Sequence, residues 1–247
     1  VLLRNLIGHL RPTDTFNVML FSGSSQMLNP APVAATRANI DRAIATIDQQ
    51  RGGGSTEIVP ALKRIAALPK ASDVSRSVIV VTDGYVTVEN EVFQLVRRNL
   101  GNSNVFAFGI GTSVNRHLIE GIARAGQGEP FVVTKPEMAA AQAERLRKMI
   151  DAPVLTQLKA RFDGLEVYDV EPATLDALPD VLGGRPVLLY GKWRGEPRGQ
   201  LVLEGQAATG THTDVVPVRA PDADASALRH LWARSRIQQL SDQEALE

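Results

Sequence analysis

Ser77-Val78-Ile79-Val80-Val81-Thr82-Asp83-Gly84 decides the fold. Val78 to Val81 is an unbroken β-branched run, too short for a helix. Such a run reads as a strand covered on both faces, as in a parallel sheet. It stops at Asp83-Gly84, a common turn pair. On its amino side, Ile58, Leu62, Ile65 and Leu68 recur with helical spacing. On its carboxyl side, Val92, Leu95, Val96 and Leu100 do the same. Val105-Phe106-Ala107-Phe108 is a second buried strand. Leu118, Ile119 and Ile122 mark a further helix, Phe131-Val132-Val133 an edge strand, and 138–150 another helix. Strands alternating with helices imply βαβ units and a parallel sheet with helices on both faces.

Toward the amino terminus, Leu2, Leu3, Leu6, Ile7 and Leu10 predict an amphipathic helix that Arg11-Pro12-Thr13-Asp14 stops. Asn17 to Phe21 is a short apolar run, read as another strand covered on both faces, and Ser22-Gly23-Ser24-Ser25 is the loop after it. Ile40, Ile44 and Ile47 mark a helix ending before Gly52-Gly53-Gly54. The open α/β plan therefore covers 1–151. From 152 to 220 the pattern changes to short β-prone runs broken by Gly and Pro, which suits antiparallel structure. These runs are 165–168, 186–190, 200–203 and 213–216. Residues 221–247 carry a linker and a helix with Leu228, Leu231, Ser235 and Leu240 along one side. Trp193 and Trp232 read as core or interface anchors, and Arg194, Glu196 and Arg198 as a solvated turn.

Bulk properties exclude several classes. The chain has 247 residues, 44 % hydrophobic and 22 % charged, which suits one large domain or a domain with a smaller companion. Its formal net charge is zero, so no global field draws it to nucleic acid. It has no cysteine, which excludes disulfides and thiolate metal sites. No apolar run approaches the roughly 18 residues that span a bilayer. Val1 already lies inside a helical pattern, from which we expect a processed or truncated product.

In an open α/β sheet, ligands bind beyond the carboxyl ends of the strands. Three features should gather there. Gly52-Gly53-Gly54-Ser55-Thr56-Glu57 offers hydroxyls and a carboxylate just before a helix. Its plainer reading is a helix cap, with Ser55 or Thr56 capping and Glu57 at the positive end. Asp83 follows the strongest strand, with an Asp-Gly turn as its plainer reading. Ser22 to Ser25 follows the first visible strand, and with Asp14 it is a structural guess. Hydroxyls and carboxylates without His or Cys suit a hard cation such as Mg²⁺.

Gly52 to Glu57 before a helix, then Val-Ile-Val-Val-Thr-Asp-Gly over 78–84, resembles the second and third motifs of the metal-ion-dependent adhesion site of von Willebrand factor A-type domains. The 105–111 stretch resembles that family's next strand. The resemblance implies a Rossmann-like sheet. It also implies Thr56 and Asp83 as metal residues for Mg²⁺ or another divalent cation, with Ser55 and Glu57 as weaker neighbours. The partner would be a protein ligand whose exposed acidic side chain completes the shell. Leu231 to Leu240 and the 178–187 run resemble inter-α-trypsin-inhibitor heavy chains and their bacterial relatives. The Ala- and Arg-rich composition leads us to expect a bacterial source, and the resemblance a secreted, periplasmic or cell-surface location.

Two departures limit the carry-over. The family's first motif, Asp-x-Ser-x-Ser, and the central strand bearing it are absent. We therefore expect the chain to bind metal weakly or not at all, since two oxygen contacts do not replace the hydration shell of Mg²⁺. We expect the gap to be filled by another strand, by homo-oligomeric strand exchange or by rearrangement. The further β domain that precedes the A domain in heavy chains is also missing.

The reading is of a non-enzymatic adhesion or binding module. A structural scaffold with a vestigial metal site is the alternative. An α/β enzyme handling phosphate or nucleotide is less favoured, because Gly109-Ile110-Gly111 lacks the third glycine of a dinucleotide loop.

Overall fold

The computed structural model describes residues 2–21, 23, 25–50, 57–69, 74–83, 89–99, 103–151, 153–171, 175–176, 178–220 and 226–242. Two compact units emerge. The first comprises Val1–Leu100 and Val105–Lys148, the second Gly101–Asn104 and Met149–Glu247.

Apolar periodicity builds the first unit. Its elements are α1 (Leu2–Gly8), β1 (Thr15–Phe16), β2 (Met19–Phe21), β3 (Ser25–Met27), β4 (Val33–Ala34), α2 (Arg37–Asp48), α3 (Ile58–Ala66), β5 (Ser77–Thr82), α4 (Glu89–Asn99), β6 (Asn104–Ile110), α5 (Arg116–Ala125), β7 (Gln127–Val133) and α6 (Met138–Ile150). β5, β6 and β7 make a parallel sheet in that order, so β7 is an edge as expected. Val105, Phe106, Ala107 and Phe108 of β6 are wholly buried. One face of the core joins Ile58 and Leu62 of α3, Val92, Phe93 and Val96 of α4, and Leu118, Ile119 and Ile122 of α5 to Val78, Val80, Val105 and Ala107. Elsewhere in the unit, Phe108 stacks on Phe131 with ring centroids 4.5 Å apart.

Two glycines admit the helices at close range. A Cβ on Gly121 of α5 would run into the Phe93 ring of α4, and one on Gly109 would strike Val114. Gly109 is therefore part of strand β6 and its packing, which accounts for its presence without a nucleotide loop.

The run at 17–21 departs from expectation. Only 19–21 is strand, and it pairs antiparallel with β3 in a separate two-stranded sheet, Met19 opposite Met27. Its side chains are half-buried rather than covered on both faces. Asn17 explains the early stop. Its carboxamide accepts from the Val18 and Asn29 N–H groups, closing a loop where the ladder would continue. Among the described residues β5 pairs only with β6, so its other edge carries no neighbouring strand. The filling of that gap, anticipated from sequence, is not seen among them. A second apolar cluster gathers Ile7, Ala35 and Ile40 with Leu10, Phe16, Ile44 and Ile47.

The second unit is antiparallel: β8 (Thr156–Asp163), β9 (Glu166–Glu171), β10 (Tyr190–Arg194), β11 (Gln200–Ala207), β12 (Gly210–Pro217), then α7 (Ser226–Ser241). β12, β11 and β8 form one sheet, β10 and β9 another. Leu158, Ala160 and Leu178 form its core with Leu201, Leu203, Val187 and Leu189. Of the 186–190 run only Tyr190 is strand. Val187 and Leu189 are spent as irregular chain on that core. Trp193 is 49 % exposed, so it is not part of the core; it lies in the two-stranded β9–β10 ribbon opposite Val167. Arg194 belongs to β10 and pairs with Glu166 at 2.9 Å.

The inner side of α7 also differs. Leu228, Leu231 and Leu240 are exposed. The helix is held instead by two polar contacts one turn apart, which apolar spacing cannot reveal. Trp232 donates Nε1–H to the Asp169 carbonyl at 2.8 Å, and its ring lies 3.9 Å from the Lys192 ammonium. Arg236 reaches the buried Glu171 carboxylate at 2.7 Å. Asp169 adopts φ 49° where the β9–β10 register shifts, a bulge that coincides with the carbonyl Trp232 uses.

Candidate functional site

The carboxyl ends of β5, β6 and β7 share one rim because the strands are parallel. Asp83 is the first residue beyond β5 and is exposed there. Thr82 before it is buried, so the chain passes from core to solvent within one residue. β6 leaves the rim through Gly111 at φ 110°, whose N–H donates to the Val133 carbonyl at 3.0 Å. That bond fixes the ends of β6 and β7 together.

The next helices begin at the same rim, since each follows its strand. Asn115 caps α5, accepting from the Leu118 N–H at 3.1 Å. Its Nδ2 donates to Glu89 Oε1 at 2.9 Å, tying the first residue of α4 to the cap of α5. Glu89 and Glu91 place negative charge in the first turn of α4, where the helix dipole favours it. Among the described residues the rim thus carries the oxygens of Asp83, Glu89 and Asn115.

The sequence-predicted residues divide as follows. Asp83 lies on the rim. Thr56, Ser55, Ser22 and Gly52–Gly54 lie outside the described residues. Glu57 occupies the N-cap position of α3 without a side-chain cap bond. Asp14 is engaged by Arg11. It accepts from the Arg11 N–H at 2.8 Å and from the Arg11 guanidinium, closing the turn after α1. Glu89 and Asn115 were not anticipated. An acidic residue opening a helix and an Asn three residues before Leu118 were the available signals.

As a metal donor, Asp83 is of the right kind, a hard oxygen. Among the described residues no three His, Cys, Asp or Glu side chains gather into a metal-sized cluster. A cleft of about 210 Å³ lies between α1 and α6, lined by Asn5, His9, Ala140, Ala143, Glu144 and Arg147. It is smaller than the roughly 300 Å³ at which ligand pockets begin. Its carboxylate is engaged: the hydrogen bond from Arg147 holds Glu144 below the usual carboxylate range. Among the described residues no helix is long and apolar enough to cross a membrane.

Known proteins place this architecture. A von Willebrand factor A domain-containing protein of Dictyostelium discoideum is 28 % identical over 241 residues, covering 95 % of this chain and 11 % of its own length. The human von Willebrand factor A domain-containing protein 5A is 27 % identical over 238 residues, covering 92 % and 30 %. The chain therefore spans less than a third of either relative. The solved structure of a von Willebrand factor type A protein from Catenulispora acidiphila superposes with a TM-score of 0.69 at 16 % identity, covering 92 % of this chain and 62 % of that one. It shares the fold. Residues 1–130, more than half of the chain, match the family model of the von Willebrand factor type A domain. The chain belongs to the von Willebrand factor type A domain family.

Proposed function

We propose that this chain is the protein-binding part of a longer protein and works without catalysis, through a divalent cation at the sheet rim. Thr56 and Asp83 would contribute to holding Mg²⁺, and an acidic side chain of a protein ligand would complete its shell. The observation that carries this reading is Asp83, exposed directly beyond the carboxyl end of β5 in a domain of this family. The strand end fixes its carboxylate where a ligand approaches an open α/β sheet. The zero net charge suits a protein partner rather than nucleic acid.

Kinship with inter-α-trypsin-inhibitor heavy chains, a bacterial source and an extracellular setting belong to the same proposal. The kinship and the setting rest on the 178–187 and 231–240 runs, and the source on the Ala- and Arg-rich composition. The division into 1–151, 152–220 and 221–247, drawn from the change of pattern along the chain, is proposed with them.

The test is capture of an acidic protein ligand by the full-length protein with and without Mg²⁺. Chelation should abolish capture, and Asp83→Ala should weaken it by about tenfold or more, the size of a lost charge-assisted contact. Asp14→Ala should leave it unchanged. Normal metal-dependent capture by Asp83→Ala would sink the reading. The second reading, a scaffold with a vestigial site, is favoured by the sparse donor set among the described residues. It predicts capture that is indifferent to chelation.

A further inference from the structure

The three-stranded sheet of the second unit leaves β12 as an edge. All eight residues of Gly210–Pro217 are exposed, Val215 at 50 % and Val216 at 43 %. Natural proteins blunt long edges with bulges, proline or charged side chains, lysine above all. β12 contains no lysine, and its register with β11 runs unbroken from Pro217 opposite Gln200 to Gly210 opposite Ala207. In an antiparallel pair, alternate residues turn both backbone groups to one side. The Val218 N–H donates to the Gly199 carbonyl at 2.9 Å, one step beyond the end of that register. Even-numbered residues of β12 therefore face β11. Thr211, Thr213 and Val215 point their N–H and C=O groups outward, away from the sheet. At present the Val215 N–H is met by the carboxylate next to it, Asp214, at 2.9 Å.

We propose that this edge pairs antiparallel with the same edge of a second copy, Thr213 opposite Thr213 across a two-fold axis. Only odd-numbered residues offer outward groups, so odd must meet odd. Four such registers keep the strands well overlapped. The one centred on Asp214 faces two carboxylates, and the one centred on His212 faces two imidazoles. The one centred on Val215 leaves both groups without a charged opposite. Centring on Thr213 sets His212 of each copy opposite Asp214 of the other. These are non-hydrogen-bonded positions, where opposed side chains come closest. On the same face, β11 offers His212 only Gly205 and Asp214 only Leu203, neither of them charged. Thr211 and Val215 then exchange main-chain bonds on either side of the axis. Pro217, which has no N–H, ends the ladder.

Sedimentation equilibrium of this chain across the micromolar range tests the pairing. A reversible dimer is expected. His212→Asp opposes carboxylates at both symmetry-related positions and should weaken it by about tenfold. The exchange variant His212→Asp/Asp214→His should restore it. Val215→Pro removes an outward N–H and should abolish it. Hydrogen exchange on the unmodified chain needs no variant: the Thr213 and Val215 amides should slow as concentration rises. A monomer at every concentration overturns the proposal. So does a dimer insensitive to Val215→Pro, or one in which those amides exchange at the monomer's rate.

Discussion

β6 and β12 are strands of similar length at opposite limits of burial. β6 reads Asn-Val-Phe-Ala-Phe-Gly-Ile and is buried at all but its last residue. β12 reads Gly-Thr-His-Thr-Asp-Val-Val-Pro and is exposed throughout. Both pair with a neighbouring strand, so backbone pairing does not separate them. The difference lies in what covers them. β6 sits between two neighbouring strands with helices packed on it, and every side chain is apolar or small where it meets them. Among the described residues β12 has one neighbouring strand and is exposed throughout, and its sequence mixes threonine with polar and aliphatic residues. A continuous apolar run reports cover on two faces. A threonine-rich run reports a ladder held by its turn and by a single partner. Side chains of β6 should therefore contribute much to the stability of the first unit, and those of β12 little to that of the second.

Substitutions sharpen this contrast in descending order. Phe106→Ala should cost about 3–5 kcal/mol, whereas Thr213→Ala should stay within about 0.5 kcal/mol. Denaturant titration of both variants reads the difference, and equal losses would break the comparison. Gly121→Val drives a side chain into the Phe93 ring and should cost about 1–3 kcal/mol, despite the better intrinsic helix propensity of valine. Thermal melting would contradict the packing account if this variant were as stable as the parent.

Arg236→Ala leaves the Glu171 carboxylate buried without its partner. Arg236 itself is half-exposed. The cost is therefore that of the stranded carboxylate, about 1–3 kcal/mol, confined to the second unit. Glu171→Gln/Arg236→Ala should recover part of it, as a double-mutant cycle in urea would show. Asn115→Ala removes the α5 cap and the tie to Glu89. About 1 kcal/mol is expected, with faster amide exchange in the first turn of α5.

Much of the α/β half was legible because its signals are local. The β-branched run before Asp83 and the helical spacing of Leu118, Ile119 and Ile122 each arise from cover by a neighbouring layer, and cover leaves a period in the sequence. The hairpin at 19–27 was misread because three apolar residues carry no period of their own. β8 was missed, although Leu158 and Ala160 alternate with Gln157, Lys159 and Arg161, because its outward residues are ordinary helix formers. The seat of α7 was hidden for another reason. An indole N–H on a carbonyl 63 residues away, and a guanidinium on a buried carboxylate, are tertiary contacts without local pattern. At the rim, Asp83 could be found by its place after a strand. The bond between Glu89 and Asn115 joins residues 26 apart and became visible only once α4 and α5 were packed.

In the proposed function, the rim beyond β5 of the full-length protein would bind a divalent cation through Asp83. The most direct measurement is calorimetric titration of Mg²⁺ into the full-length protein and its Asp83→Ala variant, with folding verified by circular dichroism. The account predicts a single saturable site that Asp83→Ala weakens by at least about tenfold, while secondary structure is unchanged. Equal affinity in the two proteins, or no binding to either, would contradict it.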